Sequence, residues 1–518
     1  MKRWVVLLSC LGSQVALADN RPVAELYGRY CAECHHAERL GGIGPALLPD
    51  NLKRLQKNEA SEVIAKGREA TQMPGFAEQL AQEEIDALVQ FIQSPLASIP
   101  AWGMEQIRAS HIQHQDPAQL PSKPIHDADL LNLTMVVELA DHHVTVLDGG
   151  RLQPLVRFPT RFALHGGLKF SPDGRFVYLS SRDGWISKYD LYSLQLVAEV
   201  RAGLNTRNLA VSGDGKTVMV ANYLPHSLVA LDAERLQPLQ VIAAVAKEGA
   251  ASSRVSAVFS APPRNSFIAA MKDFTEVWEI PYNDQAPSKI LAKADEERAE
   301  SGKGVPVDVS PFPVRRIQVD DYLDDFFFDL PYRHLIGTSR NGGSGQVVQL
   351  DMGKKIKEIA IPGMPHLSSG ILWDYQGGQV MATPNLKEGM VTVIDLQSWQ
   401  VVKRIATQGP GFFMRSHENT PYAWVDVFTG AHKDLVHVID KQSLEIVKTL
   451  NPAPGKTSGH VEFTRDGRYA LLSIWENDGA LVIYDSQTLE EVKRLPMRKP
   501  SGKYNVYNKI TRSSGTSH

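Results

Sequence analysis

Short apolar runs follow one another from residue 129 onward, and many of them end in the same way. A strand-like run closes on Asp, and a Leu or Trp follows a few residues later. The clearest copies are Leu147-Asp148, Tyr189-Asp190, Leu231-Asp232, Ile394-Asp395, Ile439-Asp440 and Tyr484-Asp485, with weaker copies near Pro281 and at Leu350-Asp351. Clear neighbouring copies lie 42 to 45 residues apart. A repeat of this size with about four short strands predicts an all-β propeller of eight blades.

Residues 19–97 have a different pattern, in which apolar residues recur at helical spacing. This spacing predicts one helix from Val23 to Cys34 and another from Ala81 to Ile92, with a Gly- and Pro-containing loop from Gly41 to Pro45 between them. We therefore predict a small all-α domain. Residues 98–128 hold four prolines and no sustained periodicity, so they are predicted to be a linker.

The N-terminus resembles an export signal. A positively charged start, Met1-Lys2-Arg3, precedes mostly apolar residues, and Ala16-Leu17-Ala18 is a small-x-small cleavage site. We predict cleavage after Ala18, with lipoprotein anchoring at Cys10 as the lesser alternative. The predicted boundaries are thus 1–18 for the signal peptide, 19–97 for the helical domain, 98–128 for the linker and 129–518 for the propeller.

The composition mainly excludes certain partners and a membrane-spanning segment. The chain has 518 residues and 43% hydrophobic content, which is ordinary for a protein with a substantial core. A formal net charge of −3 gives no reason to expect nucleic acid or an anionic membrane as partner. No second apolar run is long enough for a transmembrane helix, so no membrane span is predicted.

The candidate chemistry begins at Cys31-Ala32-Glu33-Cys34-His35, which reads C-x-x-C-H. Two thiols at this spacing attach a c-type haem covalently, and the adjacent imidazole becomes an axial ligand of the iron. A zinc pair or a redox dithiol would use the same C-x-x-C, but His35 and the export signal weigh against both. No other cysteine remains after cleavage, so no disulfide is expected. An exported haem c protein indicates the bacterial periplasm.

The helical segment resembles class I cytochromes c, in which a Met-Pro loop supplies the second axial ligand. Met73 stands before Pro74 in the corresponding loop, so the resemblance implies that its thioether is the sixth iron ligand. A core methionine is the structural alternative, and Met104 is a weaker rival beyond the domain.

The propeller segment resembles the cytochrome cd1 nitrite reductase family, whose propellers hold haem d1. The matching motifs are Phe162-Ala163-Leu164-His165, Ser171-Pro172-Asp173-Gly174-Arg175, Arg182-Asp183-Gly184, Ala202-Gly203-Leu204-Asn205-Thr206-Arg207 and Gly502-Lys503-Tyr504-Asn505-Val506-Tyr507-Asn508. The resemblance implies that His165 is the proximal ligand of the d1 iron. It also implies that Arg182 and Arg207 face carboxylates of the tetrapyrrole, although salt bridges between blades are an equal alternative.

Departures from the family pattern indicate which branch the chain resembles. Nitrite reductases have two histidines above the d1 iron; His366 keeps one, and Asp324 stands in place of the other. His460 is a histidine that the reductases lack. This pattern is similar to the dihydro-haem d1 dehydrogenases, which complete haem d1 biosynthesis. A nitrite reductase and a non-catalytic haem d1 carrier remain the alternatives.

The resemblance implies oxidation of a propionate of dihydro-haem d1 to an acrylate, with electrons leaving through haem c to a periplasmic acceptor. A nitrite reductase apoprotein is a possible recipient of the product. We predict His460 as the proton acceptor and Tyr504 as its helper, and His366 as a distal ligand or second proton relay. His417 is the least secure omission from this set, and each histidine has a purely structural role as its alternative.

Overall fold

The structure, a computed structural model, describes residues 22–41, 44, 46–52, 55, 57–67, 73–98, 101–161, 164, 167–247, 249, 251–286, 310–338 and 343–511. The predicted signal peptide, including Cys10 and the cleavage site after Ala18, lies outside the described residues. Within the described part, no helix is long and apolar enough to span a membrane.

Small helices form the N-terminal part; the single helix predicted from Val23 to Cys34 is divided at Cys31, and the helix predicted from Ala81 to Ile92 is present. The described helices are α1 (Val23–Tyr30), α2 (Ala32–His35), α3 (Pro49–Leu52), α4 (Lys57–Lys66), α5 (Gln82–Gln93), α6 (Met104–Ala109) and α7 (Val506–Thr511). Four short 3-10 turns are also present, at Pro117–Gln119, Leu130–Asn132, Pro262–Arg264 and Leu367–Ser369. Helix α5 buries Ile85, Leu88, Val89 and Ile92. These residues form an apolar core with Leu26 and Tyr27 of α1.

Eight antiparallel sheets follow, which confirms the predicted eight-bladed propeller. The strands of blades 1 to 4, from the channel outward, are as follows. Blade 1 has Pro500–Asn505, Leu133–Glu138, His143–Asp148 and Gln153–Pro159; blade 2 has Lys169–Phe170, Phe176–Ser180, Trp185–Asp190 and Gln195–Arg201; blade 3 has Asn205–Val211, Thr217–Leu224, Ser227–Asp232 and Pro238–Ala243; blade 4 has Val255–Ala261, Ser266–Met271, Glu276–Pro281 and Arg315–Gln318.

The remaining four blades repeat the same order. Blade 5 has Asp325–Phe328, His334–Thr338, Gly345–Gln349 and Lys354–Ile359; blade 6 has Ile371–Tyr375, Gly378–Pro384, Met390–Asp395 and Val401–Ala406; blade 7 has Met414–Ser416, Tyr422–Asp426, Val436–Asp440 and Ile446–Leu450; blade 8 has Ser458–Phe463, Tyr469–Ile474, Gly479–Asp485 and Glu491–Met497.

The C-terminal strand closes the ring. Pro500–Asn505 pairs with Leu133–Glu138 and so becomes the first strand of blade 1, although it is last in the sequence. The first strands of several neighbouring blades contact one another around the channel, among them those of blades 3 and 4 and those of blades 8 and 1. Full closure leaves no gap between the first and last blades.

The Asp that ends each clear repeat terminates the third strand of a blade and organises the next turn. Asp440 shows the arrangement: its carboxylate accepts hydrogen bonds from the N–H groups of Gln442 and Ser443 at 3.0 and 2.7 Å. The N–H of Leu444 then donates to the Asp440 carbonyl, and Leu444 has a left-handed φ of 57° while its side chain is buried. A short acidic side chain thus accepts hydrogen bonds from the backbone N–H groups of this turn, which explains the repeated Asp followed by Leu or Trp.

The predicted linker contains elements that the sequence pattern did not reveal. Helix α6 lies here, and the strand Ile112–Gln113 pairs with Gln195–Arg201 as a fifth strand of blade 2. Just before α6, the indole N–H of Trp102 donates to the Arg201 carbonyl at 2.9 Å. The segment is therefore packed along the propeller.

The cytochrome-like part contacts blade 3 through the loop after α2. Leu40, Ala46 and Leu48 form one apolar cluster with Leu204 and Leu224 of the propeller. The loop that follows the C-x-x-C-H motif is thereby placed beside the start of blade 3.

Candidate functional site

The candidate residues of the propeller gather at one end of the channel. The first strand of every blade starts at this end, and the second strand ends beside that start, as the pairing of Asn205 with Leu224 in blade 3 shows. His366 precedes the first strand of blade 6, His460 lies near the start of the first strand of blade 8, and Tyr504 lies on the first strand of blade 1. Residues far apart in sequence are thus brought together at one end of the channel, and we refer to this group of side chains as the pocket.

Phe412 and Phe413 lie between the two histidines. The His366 ring lies 4.6 Å from the Phe412 ring and 5.8 Å from the Phe413 ring, measured between centroids. The His460 ring lies 4.1 Å from Phe413 and 6.0 Å from the Tyr504 ring. His366, His460 and Tyr504 therefore share one aromatic wall of the pocket.

The hydrogen bonds of His366 define its tautomer. Nδ1 lies 2.5 Å from the Phe412 carbonyl oxygen, which can only accept, so Nδ1 carries the proton. Nε2 is then unprotonated in the neutral ring, and the Ser368 hydroxyl donates to it at 3.3 Å. Nε2 is the nitrogen that can ligate iron or accept a proton.

His460 is presented by a β-bulge in blade 8. Strand pairing shifts between Gly459 and Glu462, and His460 has a left-handed φ of 55°. Bulges of this kind redirect a side chain relative to the regular strand. The Lys503 N–H donates to His460 Nδ1 over a long 3.4 Å, so Nε2 carries the proton of the neutral ring. His460 and His366 therefore have opposite tautomers.

Burial and neighbouring cations keep both rings neutral. Burial lowers the pKa of His460 well below its usual value, and Lys503 and Arg415 lower it further. Burial also lowers the pKa of His366, against the opposing effect of Asp325. At neutral pH both imidazoles are available as ligands or proton acceptors.

Buried polar groups lie next to Tyr504. Burial raises the pKa of the Tyr504 phenol to about 12, so its hydroxyl remains a donor at neutral pH. Arg415 on the first strand of blade 7 is buried, and burial lowers its pKa. Among the described residues, Nε of Arg415 and Oε2 of Glu462 lack a hydrogen-bond partner. Burial lowers the pKa of Lys509 to about 7.

Positive side chains from blades 2 to 4 surround Tyr223, at the end of the second strand of blade 3. Burial alone would raise the pKa of Tyr223, but Lys272, Arg207, Arg182 and Arg254 lower it overall. Arg207 also donates from Nε to the Ser256 carbonyl at 3.0 Å. Arg182 and Arg207, the two predicted carboxylate contacts, thus belong to one cationic cluster together with Lys272 and Arg254.

Two of these cations have carboxylate partners. The Arg254 guanidinium donates to Asp273 at 2.6 and 2.9 Å, and the Arg254 backbone N–H donates to the same carboxylate at 3.0 Å. Lys272 binds Asp324 at 2.6 Å, and both side chains are buried. Asp324, which the family resemblance places at the second distal histidine of the reductases, is therefore part of a buried ion pair.

His417 is not part of this pocket. It follows the first strand of blade 7, at the opposite end of the channel from His366 and His460, and it packs beneath the turn at Gly467. His417 Nδ1 accepts a hydrogen bond from the Asn419 N–H at 3.1 Å. Its position gives no support to a role as the proton acceptor.

The C-x-x-C-H residues have an arrangement that fits a covalent haem. Cys31 and the ring of His35 are buried, and Cys34 is partly buried. Met73 packs against the same apolar cluster that includes Cys31. A side chain at Gly44 would collide with the His35 imidazole, so the loop passes closely over that ring. Thiols, imidazole and thioether are thus collected around one apolar region.

A family model described as "Cytochrome D1 heme domain" matches residues 128–301 and 306–509. The chain belongs to the cytochrome D1 haem-domain family. A second model, "Cytochrome C oxidase, cbb3-type, subunit III", matches residues 18–92. The sequence-based resemblance to the haem d1 family is confirmed, as is a cytochrome c domain ahead of the propeller.

Relatives within and around this family were identified by sequence. "Dihydro-heme d1 dehydrogenase" of Pseudomonas aeruginosa is 55% identical over 511 residues, covering 99% of each chain. "Protein NirF" of the same organism is 28% identical over 373 residues, covering 72% of this chain and 90% of that protein. "Nitrite reductase" of Stutzerimonas stutzeri is 23% identical over 568 residues, covering 97% of this chain and 96% of that protein.

A solved member of the haem-domain family supports the same placement. The structure described as "Dihydro-heme d1 dehydrogenase NirN in complex with DHE" is 56% identical, with a TM-score of 0.80. The match covers 94% of this chain and 100% of that chain.

Several residues of this family site were not anticipated from the sequence. His165, the predicted proximal ligand, lies outside the described residues, so its assignment stays a prediction. Asp426, Arg415 and Lys503 were missed because the role of each depends on contacts with other segments of the chain. Asp426 interrupts the apolar stretch from Ala423 to Phe428, whereas Arg415 and Lys503 lie in short strands with other polar residues.

Proposed function

We propose that this chain is an oxidoreductase that converts dihydro-haem d1 to haem d1, the last step in the biosynthesis of that cofactor. The observation that carries the proposal is the combination of two neutral histidines, the half-buried His366 and the buried His460, with a cationic cluster at one channel end. The 55% identity to a dehydrogenase named for this substrate supports it over nearly the full chain.

The cationic cluster suits the carboxylates of the substrate. Arg182 and Arg207 offer planar guanidinium groups, which can bind a carboxylate through two parallel hydrogen bonds. Lys272 and Arg254 add positive charge to the same region, although each is already paired with an aspartate. Iron ligation by His165 from the proximal side completes the proposed binding mode.

The reaction removes two hydrogens from one propionate arm. Two C–H bonds break and a C=C bond forms between the same two carbons, so the propionate becomes an acrylate. Two protons and two electrons leave the substrate. The protein must supply a group that accepts a proton beside the arm, and the electrons must leave through the macrocycle.

His460 is our candidate for the proton acceptor. Its ring is neutral, buried and within the same aromatic wall as Tyr504. To accept a proton, the neutral ring must be protonated at Nδ1, which breaks the long 3.4 Å hydrogen bond from the Lys503 N–H and is opposed by the burial and the cations that lower its pKa. The negative charge of a bound substrate carboxylate would favour that protonated state.

His366 and Tyr504 have supporting roles in this proposal. His366 directs an unprotonated Nε2 away from its Phe412 contact, so it can act as a distal iron ligand or a second proton relay. Tyr504 remains protonated at neutral pH because its pKa is raised, and it can donate a hydrogen bond to a substrate carboxylate or to the developing charge.

Cys31 and Cys34 would attach haem c covalently, and His35 and Met73 would be its axial ligands. When bound, this group accepts electrons one at a time. We further propose that the chain works in the periplasm, that a periplasmic redox protein receives the electrons, and that a nitrite reductase apoprotein can receive the product.

A direct conversion assay tests this function. The purified protein is incubated with dihydro-haem d1 and an electron acceptor, and the tetrapyrrole is then identified by mass. A product lighter by two hydrogens supports the dehydrogenase. An unchanged mass with tight binding would instead favour a carrier of haem d1. Reduction of nitrite would favour a nitrite reductase, a function that the Lys272–Asp324 pair argues against because it occupies the place of the second distal histidine.

A further inference from the structure

Asp426 connects the two histidines of the pocket. It ends the second strand of blade 7, its side chain is completely buried, and its carboxylate accepts three hydrogen bonds from backbone N–H groups. Two come from Phe412 and Phe413, at 2.7 and 3.0 Å. The third comes from His460, at 3.0 Å.

The Phe412 segment continues the connection to His366. The carbonyl of Phe412 accepts the Nδ1–H of His366 at 2.5 Å, while the N–H of the same residue donates to Asp426. One carboxylate therefore fixes the backbone that orients His366 and the backbone that presents His460.

The contact at His460 also supports an unusual backbone conformation. His460 has a φ of 55°, which is rare for a residue with a side chain, and surrounding contacts must hold it there. The preceding residue has to be glycine, because a Cβ at Gly459 would come within 2.6 Å of Asp426 Oδ2. The close approach of Asp426 thus explains both Gly459 and the position of the bulge.

We propose that Asp426 is a positioning residue for the dehydrogenation, which sets the placement of His460 relative to His366 across the substrate pocket. This inference rests on the proposed function. Three buried N–H donors directed at one carboxylate cannot all be satisfied by a carboxamide, because its NH₂ group would face an N–H instead of accepting from it. Loss of that acceptor would release the bulge that carries His460.

The test compares Asp426→Asn with Asp440→Asn, the same chemical change in the same blade. Asp440 accepts backbone N–H groups in a surface turn that Asn also tolerates. Hydrogen exchange measured by mass spectrometry should be faster at 411–414 and 458–461 in Asp426→Asn, and unchanged there in Asp440→Asn. With dihydro-haem d1 as substrate, we expect kcat to fall about a hundredfold in Asp426→Asn, with KM within about threefold of the unsubstituted protein.

Gly459→Ala provides a second route to the same displacement, since it keeps the carboxylate but pushes it away. It should reproduce both the faster exchange and the lower kcat.

Faster exchange with an unchanged kcat would mean that Asp426 is only structural, and unchanged exchange at both segments would also overturn the proposal. If the unsubstituted protein converts no dihydro-haem d1, the proposed function fails. The proposal about Asp426 would then be decided by the absorption spectrum of the bound substrate, which must change in Asp426→Asn if His366 has been displaced.

Discussion

At the scale of single residues, the pocket combines two histidines that are chemically different. His366 has its proton on Nδ1, held by a carbonyl, whereas His460 has its proton on Nε2, because a backbone N–H faces Nδ1. The first hydrogen bond is short and the second is long. The short bond fixes His366 with an unprotonated Nε2, whereas the long bond holds the His460 tautomer less firmly, and burial together with nearby cations keeps both rings neutral.

Replacing His460 with Ala should stop conversion but leave substrate binding intact. Loss of a positioned acid–base group costs about 10²–10⁴ in rate, and the proposed iron and carboxylate contacts are made by other residues. The measurement is single-turnover conversion of bound dihydro-haem d1. His417→Ala is the matched control, since that histidine lies at the other end of the channel, and it should convert at the normal rate. A His460→Ala protein within about threefold of the normal rate, far from that range, would shift the role to His366.

The pH dependence follows from the direction of the histidine pKa shifts. Burial lowers the pKa of both His366 and His460, so the neutral form persists below the usual histidine range and is lost only as pH falls through the lowered values. We expect the acid limb of kcat/KM, which reports the free enzyme, to lie below about pH 6.5. An acid limb above that value would contradict the assigned neutral state.

Arg207→Ala should weaken substrate binding without changing the iron environment. A hydrogen bond to a charged group contributes about 1.5–3 kcal/mol, which corresponds to about 10- to 100-fold in Kd. Titration of the substrate absorption gives both the affinity and the spectrum. Arg316→Ala, which removes a partly exposed pair with Glu276 at the edge of blade 4, should bind normally. A spectral change in Arg207→Ala would indicate that the iron ligation depends on this residue.

At the scale of elements, the repeated Asp predicts the third strands of the blades, because the turn that follows each one is satisfied locally. The weak copies at Pro281 and Leu350 also lie at or just beyond the ends of third strands. Residues 98–128 contain no repeated pattern of this kind. The strand Ile112–Gln113 has only two residues and is specified by its pairing with blade 2, so no periodicity could reveal it.

The pocket shows the same limit of prediction from local sequence patterns. His366 and Tyr504 could be selected because each lies in a segment that matches the family pattern, and His460 because it is a histidine that the reductases lack. Asp426 could not, because its role depends on three N–H groups from two other segments of chain. Such a contact arises only when blades 7 and 8 are packed together, and no spacing within one blade predicts it.

Deleting residues 500–518 should have two effects at once: the propeller ring should open, and the pocket should lose Tyr504. The strand Pro500–Asn505 is the first strand of blade 1 and carries Tyr504, while α7 follows it. We expect a lower unfolding temperature for the propeller, followed by near-ultraviolet circular dichroism, and no binding of dihydro-haem d1. The helical part is folded around its own core, so haem c attachment should be retained. Unchanged unfolding would contradict closure through this strand.

At the scale of the whole molecule, the two parts meet where the proposed chemistry needs them. The apolar cluster between them joins Leu40 and Leu48 to Leu204 and Leu224. Leu224 is the sequence neighbour of Tyr223, at the centre of the cationic cluster, and Leu204 precedes Arg207 by three residues. The segment after the C-x-x-C-H motif therefore contacts the same two segments of blade 3 that contribute to the proposed substrate pocket. The packed leucines and the short stretches of blade 3 backbone beside them connect the helical part to the cationic cluster.

Replacing Cys31 with Ala tests whether this connection carries the electrons. Removing one thiol should abolish the doubly attached haem, seen as loss of covalently bound haem on a denaturing gel, because attachment uses both cysteines. The propeller pocket is unchanged by this substitution, so dihydro-haem d1 should bind with normal affinity. Conversion should then fail, because two electrons must leave the bound substrate and their proposed exit has been removed. A Cys31→Ala protein that binds and converts dihydro-haem d1 at the full rate would show that electrons leave the propeller by another route.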